Sequence, residues 1–260
     1  MRDPHVDSLR YGLSAASGVT FQNPPAIEGD ENDFKFRLSD SLLTVTLKSH
    51  FPTLETAKAV VAPFIRAWEI EQALLVPNRD YRFHFESGSV VDRNPPKPGE
   101  PLTVEAAAIS LFMTAHDVTL HVGVIAYPNP PARFVVSPDV ETLWQRFTMY
   151  EDGREPIMSM AYACLTLFER SVLRTNGVRR AAATQYAVDQ AILSRLGHWS
   201  AEKGGPTEAR KLTSAASMIP LAPAEKRWIE NAVRILIRRK AEFDADPNAP
   251  LSKIKMSDIQ

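Results

Sequence analysis

The chain has 260 residues, 44% of them hydrophobic and 23% charged. That balance excludes a mostly disordered chain, a collagen-like repeat and a disulfide-stapled mini-protein. The length allows one large domain or two small ones, with a core that needs no metal or disulfide to form. The formal charge of −1 is unevenly laid out: residues 1–169 hold 14 Lys and Arg against 22 Asp and Glu, residues 170–240 hold 14 against 5, and residues 241–260 hold 2 against 4. A stretch at +9 behind one at −8 hints at a basic face for a polyanionic partner. The plainer reading is mutual neutralisation of the two parts, within the chain or across a homo-oligomer.

Cys164 is the only cysteine, so no intrachain disulfide and no Cys-rich zinc site is possible. The opening MRDPHVDSLR carries charges and a proline where a signal peptide needs an apolar run. The most apolar stretch, Ala106–Ala115, is interrupted by Ser110 and Thr114 and is too short to span a bilayer. These features point to a cytoplasmic protein with no membrane partner.

Residues 1–33 show Ser, Gly, Asn, Asp and the pair Pro24-Pro25 without sustained periodicity, and read as a loosely structured segment. Phe34, Phe36 and Leu38 then alternate with Lys35 and Arg37, and Leu43, Val45 and Leu47 alternate with threonines and Lys48. These are two half-buried strands joined at Ser39-Asp40-Ser41, a candidate hairpin. Thr53 is an N-cap for a helix carrying Leu54, Ala57, Val61, Ile65, Trp68 and Leu75, which Pro63 should kink or divide. After a turn at Asn78-Arg79-Asp80, Tyr81, Phe83 and Phe85 alternate with Arg82, His84 and Glu86 as the clearest strand. A Pro-rich loop over Asp92–Pro101 and two further strands, Leu102–Leu111 and Val118–Ala126, complete a β-rich part over residues 34–136.

Residues 137–260 read as helices. Ser137-Pro138-Asp139 supplies a cap, a proline in the first helical position and an acid in the first turn. Pro156 opens a helix apolar on nearly every side, the central one of this half. A third helix runs over roughly Arg180–His198, a short one over Thr207–Ala216, and a long one from Pro223 to about Phe243, whose Arg234, Arg238, Arg239 and Lys240 suit its C-terminal turns. Strands with one helix followed by helices alone make an α+β protein, with a small antiparallel or mixed sheet and an all-helical C-terminal half that shares its core with the sheet or stands apart.

The strings SPDVETLW (Ser137–Trp144), GREPIMSMAY (Gly153–Tyr162) and WIENAVRILIRR (Trp228–Arg239), with the tail SKIKMSDI (Ser252–Ile259), resemble an uncharacterised family of bacterial hypothetical proteins over most of the chain. The resemblance implies no activity and no catalytic residues to carry over. One departure is Ala222 at the cap of the last helix, where Ser would be usual, a loss of about 1 kcal/mol of local stability.

One segment could carry function. RRAAATQYAVDQAILSRLGHW, Arg179–Trp199, meets the spacing of a helix-turn-helix, with small Ala183 and Ala187 and apolar anchors Val188, Leu193 and Leu196. Arg179 and Arg180 lie at its entrance, Gln190 and Ser194 point outward from its second helix, and Arg195 follows them. These five are the candidate DNA- or RNA-binding residues. Against this, Ala187 stands where Gly is preferred and Asp189 would face phosphates. The same apolar spacing also fits one ordinary amphipathic helix of a bundle.

Two enzymatic readings compete. A ribonuclease of the HEPN type needs an Arg followed about four to six residues later by a His on one helix, and Arg195 and His198 stand only three apart. Arg82, His84 and Glu86 share a strand face, with His121 on a neighbouring strand, and form a possible acid–base catalytic group; a solvated sheet face explains them equally. The six histidines show no metal-ligand spacing, phosphate-loop and hydrolase-elbow motifs are missing, and Cys164 reads as a buried inert thiol. The sequence therefore favours a non-enzymatic binding or regulatory protein without cofactor or metal, with a sheet-face hydrolase or nuclease and an oligomerising scaffold as alternatives.

Overall fold

The computed structural model describes residues 1–15, 19–76, 81–95, 122–124, 126–172, 176–205, 207–209 and 219–259. The chain divides into two compact units, Met1–Pro131 and Ala132–Gln260. The fold is α+β, as the order of sequence patterns predicts.

The first unit is built on a five-stranded antiparallel sheet in the order β3-β4-β5-β1-β6, with β1 Pro4–Ser14, β3 Ile27–Asp30, β4 Phe34–Ser39, β5 Leu42–Leu47 and β6 Arg82–Asp92. A second, two-stranded parallel sheet pairs β2, Val19–Phe21, with β7, Val122–Val124. The β4–β5 hairpin closes at Asp40 (φ 52°) and Ser41 (φ 59°), both left-handed, a pairing whose twist matches that of the flanking strands.

The segment expected to be loose, 1–33, instead supplies three strands, and β1 lies inside the sheet between β5 and β6. Its pattern hides because Asp7 is an extra residue against β6. Val6 and Leu9 therefore both turn inward although they are three apart, before Tyr11 and Leu13 resume the alternation. The expected strand Leu102–Leu111, most of Val118–Ala126 and the turn Asn78-Arg79-Asp80 lie outside the described residues.

Helix α1, Leu54–Leu75, covers the apolar face. Thr53 caps it through a bond from the Thr56 amide. Pro63 neither ends nor divides it, because the ring sits on the exposed side of an unbroken helix and forgoes only one intrahelical bond. Trp68 is fully buried, with ring centroids of Phe36, Phe64 and Phe83 at 5.6, 5.5 and 5.1 Å, and its Nε1–H donates to the Pro128 carbonyl at 3.2 Å. Buried polar groups on the same helix are satisfied by backbone: Glu69 Oε1 accepts from the Phe83 amide at 2.9 Å, and Gln72 donates to the Asn129 carbonyl at 2.8 Å.

The second unit is helical: α2 Pro138–Glu151, α3 Ile157–Arg170, α4 Val178–Gln185, α5 Gln190–Glu202 and α6 Pro223–Ala245. Its boundary falls five residues before the expected one, because the connector is tied to α6: the Val135 amide donates to the Ala241 carbonyl at 3.4 Å, and the Arg133 guanidinium reaches the Asp246, Ala249 and Pro250 carbonyls. Ser137 caps α2 as expected. Central α3 packs against α2, α4, α5 and α6. At α6 the Glu225 carboxylate accepts from the Ala222 amide at 3.1 Å, which offsets the missing Ser hydroxyl. The cationic run of α6 does not occupy its last turn, since the helix continues to Ala245. Arg238 instead pairs with Glu242, and Lys240 with Asp244 and Asp139.

Trp68→Ala should destabilise the sheet unit by about 3–5 kcal/mol, because the four-ring cluster cannot collapse onto the vacated volume. A fall in denaturation midpoint of the full chain, followed by near-UV circular dichroism, measures it.

Candidate functional site

The stretch expected as one helix over Arg180–His198 is two, α4 and α5, joined by Tyr186–Asp189 and both packed on α3. The break is chemical. Ala187 adopts φ 49°, a left-handed conformation that ends α4. Asp189 then caps α5 by accepting from the Ala191 amide at 3.1 Å. The result is a helix, a turn and a helix, with the turn at the position expected from the spacing and held in a non-Gly residue.

Burial follows the pattern. Ala182, Ala183, Tyr186, Val188, Ile192, Leu193 and Leu196 face inward. The Tyr186 ring packs on Phe168 of α3 at 4.5 Å and on Phe243 of α6 at 4.8 Å. Gln190, Ala191, Arg195 and His198 are exposed, and Ser194 is half-buried.

The five candidate residues separate into two groups. Arg179 is engaged: its Nε donates to Glu169 of α3 at 2.8 Å, and its guanidinium lies against Gly197 so closely that a Cβ there would come within 2.7 Å of it. It ties α4 to α3 and α5, and its charge is matched. Arg180 is exposed and has no acidic partner among the described residues. Arg195 is held by cation–π contacts, its guanidinium 4.9 Å from the Trp228 ring and 5.4 Å from Trp199. It has no acidic partner among the described residues. Together with Gln190 and Ser194, Arg195 gives α5 a polar outer face. His198 pairs with Glu202 at 3.1 Å, and Arg195 is turned to the tryptophans, so the Arg–His pair of a HEPN-type nuclease is not formed.

The turn is braced from below by a residue outside the sequence candidates. Arg239 of α6, 4% exposed, donates to the Tyr186 carbonyl at 3.0 Å and to the Ser252 carbonyl at 2.8 Å. Burial lowers its pKa and Glu242, 3.1 Å away, opposes that shift. The tail also forms a parallel bridge between Val188 and Ile254: the Asp189 amide donates to the Ile254 carbonyl at 2.8 Å, and the Ile254 amide to the Ala187 carbonyl at 2.9 Å. The available signal was the alternation Lys253-Ile254-Lys255.

The sheet-face group does not assemble. Arg82 lies 3.7 Å from Glu69, His84 Nε2 is 2.9 Å from the Ser14 hydroxyl, and Glu86 lies over Gly12 without a bond to His84. His121 and His116 lie outside the described residues. Among the described residues no group of His, Cys, Asp or Glu is placed to hold a metal ion, and no helix is long and apolar enough to cross a membrane.

Cys164 is fully enclosed in α3, and burial pushes its thiol from 9.0 up to about 12. It should resist alkylation in the native chain near pH ~8 and react once urea unfolds the helical unit. Its folded pKa is the higher one, so its contribution to stability is complete below the unfolded value of 9.0 and is lost as pH rises toward about 12. Ala187→Gly should stabilise the chain by about 1 kcal/mol, read as a higher denaturation midpoint, by removing the Cβ clash of the left-handed turn. The chain matches no protein-family model, no curated protein and no solved structure.

Proposed function

We propose that the α3–α4–α5 group binds duplex DNA, with α5 entering the major groove. In this reading Gln190 and Ser194 meet base edges while Arg180 and Arg195 lie on phosphates. The observation that carries it is the left-handed turn at Ala187. It sends the apolar residues of both helices inward and leaves Gln190, Ala191, Ser194 and Arg195 as one outer face of α5. Ala191 supports close approach, since a methyl beside two longer polar side chains lets the helix seat deeply. Asp189, the unfavourable charge of the segment, is engaged as the cap of α5. Arg179 supports the reading only indirectly, by fixing α4 through Glu169.

Fluorescence anisotropy with a labelled random duplex of about 30 bp tests it. The full chain should bind at low salt, with affinity falling as salt rises, and Arg180→Glu with Arg195→Glu should weaken binding by about tenfold or more. Absence of binding to any duplex at low salt, or an unchanged affinity in the double variant, rejects it. Preference for single-stranded RNA over every duplex rejects it in favour of an RNA partner.

A further inference from the structure

The tail Ser252–Ile259 carries a distinctive sequence and contributes nothing to the outer face of α5, yet it is fixed against the start of that helix. Ile254 and Ile259 are buried, 9% and 5% exposed. Ile254 sits in the bridge to Val188, the Ser252 carbonyl is held by Arg239, and a single 3-10 turn over Met256–Asp258 is closed by Asp258 accepting from the Lys255 amide at 2.8 Å. Extended backbone sends successive side chains to opposite sides. With Ile254 directed into the core, Lys253 and Lys255 project outward beside the first turn of α5, and both are exposed. Asp258, the nearest acid in sequence, is committed to the Lys255 amide and the Ser257 hydroxyl.

The lack of an ion pair sets these two apart. Every other described lysine of the helical unit is paired: Lys203 with Glu225, Lys226 with Glu208, and Lys240 with Asp139 and Asp244. Lys253 and Lys255 have no acidic partner among the described residues. An ordered backbone that presents two ammonium groups without a direct ion pair next to a helix N-terminus suits a repeating phosphodiester that runs past that helix.

We propose that the tail is the second half of the interface and that Lys253 and Lys255 clamp the sugar–phosphate backbone flanking the groove that α5 enters. This rests on the duplex-binding reading above. It assigns the tail affinity and register but no sequence preference, because lysines on phosphates position a protein without reading bases.

The test is an anisotropy titration of the full chain against random duplex over a salt series, comparing wild type, Lys253→Gln with Lys255→Gln, and Arg180→Glu with Arg195→Glu. Both lysines are exposed, so the glutamine variant should melt with the wild type. Its affinity at low salt should fall by about tenfold, and the slope of log affinity against log salt should become shallower by about 2, near 0.9 for each phosphate no longer neutralised. An unchanged affinity and slope in the lysine variant, with the arginine variant weakened, overturns the clamp and leaves the α5 reading standing. A wild type that binds no duplex overturns both.

Discussion

The helical unit depends on one guanidinium. Arg239 is buried in the middle of α6, where an unpaired charge would cost several kcal/mol. The Tyr186, Ala187 and Ser252 carbonyl oxygens and the Glu242 carboxylate surround it. Tyr186 and Ala187 belong to the α4–α5 turn, and Ser252 stands at the start of the tail. Nη1 alone serves the turn and the tail, while Nε faces Glu242, so one guanidinium links three segments. The turn, the first turn of α5 and the tail are thereby fixed to the same helix. The outer face of α5 has its orientation because of a residue that never reaches the surface.

The charge asymmetry of the sequence takes a different meaning once the pairs are known. Much of the +9 segment is matched locally: Arg179 by Glu169, Arg234 by Glu151, Arg238 by Glu242, Lys203 by Glu225 and Lys226 by Glu208. Two of those acids, Glu151 and Glu169, come from the acidic part of the chain, and the other three lie within or after the basic stretch itself. Among the described residues, the open cations include Arg180, Arg195, Lys253 and Lys255. Two of these lie outside the stretch where net charge concentrates. A sum over a window therefore pointed to the helical unit and to only half of these open cations.

Elements governed by local pattern were legible from sequence. The β4–β5 hairpin, β6, the cap of α2, central α3 and the inward stripe of α6 follow from alternation, capping residues and helical period. What was hidden needed a partner to explain it. A single extra residue, Asp7, disguised the alternation of β1, and only its register against β6 reveals it. Pro63 reads as a break until its ring is seen on the open side of α1. Within the candidate site, the spacing of Ala183, Ala187, Leu193 and Leu196 located the turn. It gave no information on Arg239, which is 53 residues from Tyr186 in the chain. Arg179 and Arg180 are adjacent and chemically alike, and only packing against Glu169 and Gly197 makes one a tie and the other an open cation.

The same long reach has an energetic side. Residues 178–202 carry the apolar spacing of one continuous helix, and in isolation a straight helix avoids the left-handed kink at Ala187, worth about 1–2 kcal/mol. Beyond the local Asp189 cap, the kink is offset by Arg239 of α6 and by the tail at Val188, both of which reach it by closing long loops. A straight rod is therefore the local alternative that these two long-range contacts disfavour. The bend that shapes the outer face of α5 is thus held by segments distant from it in the chain.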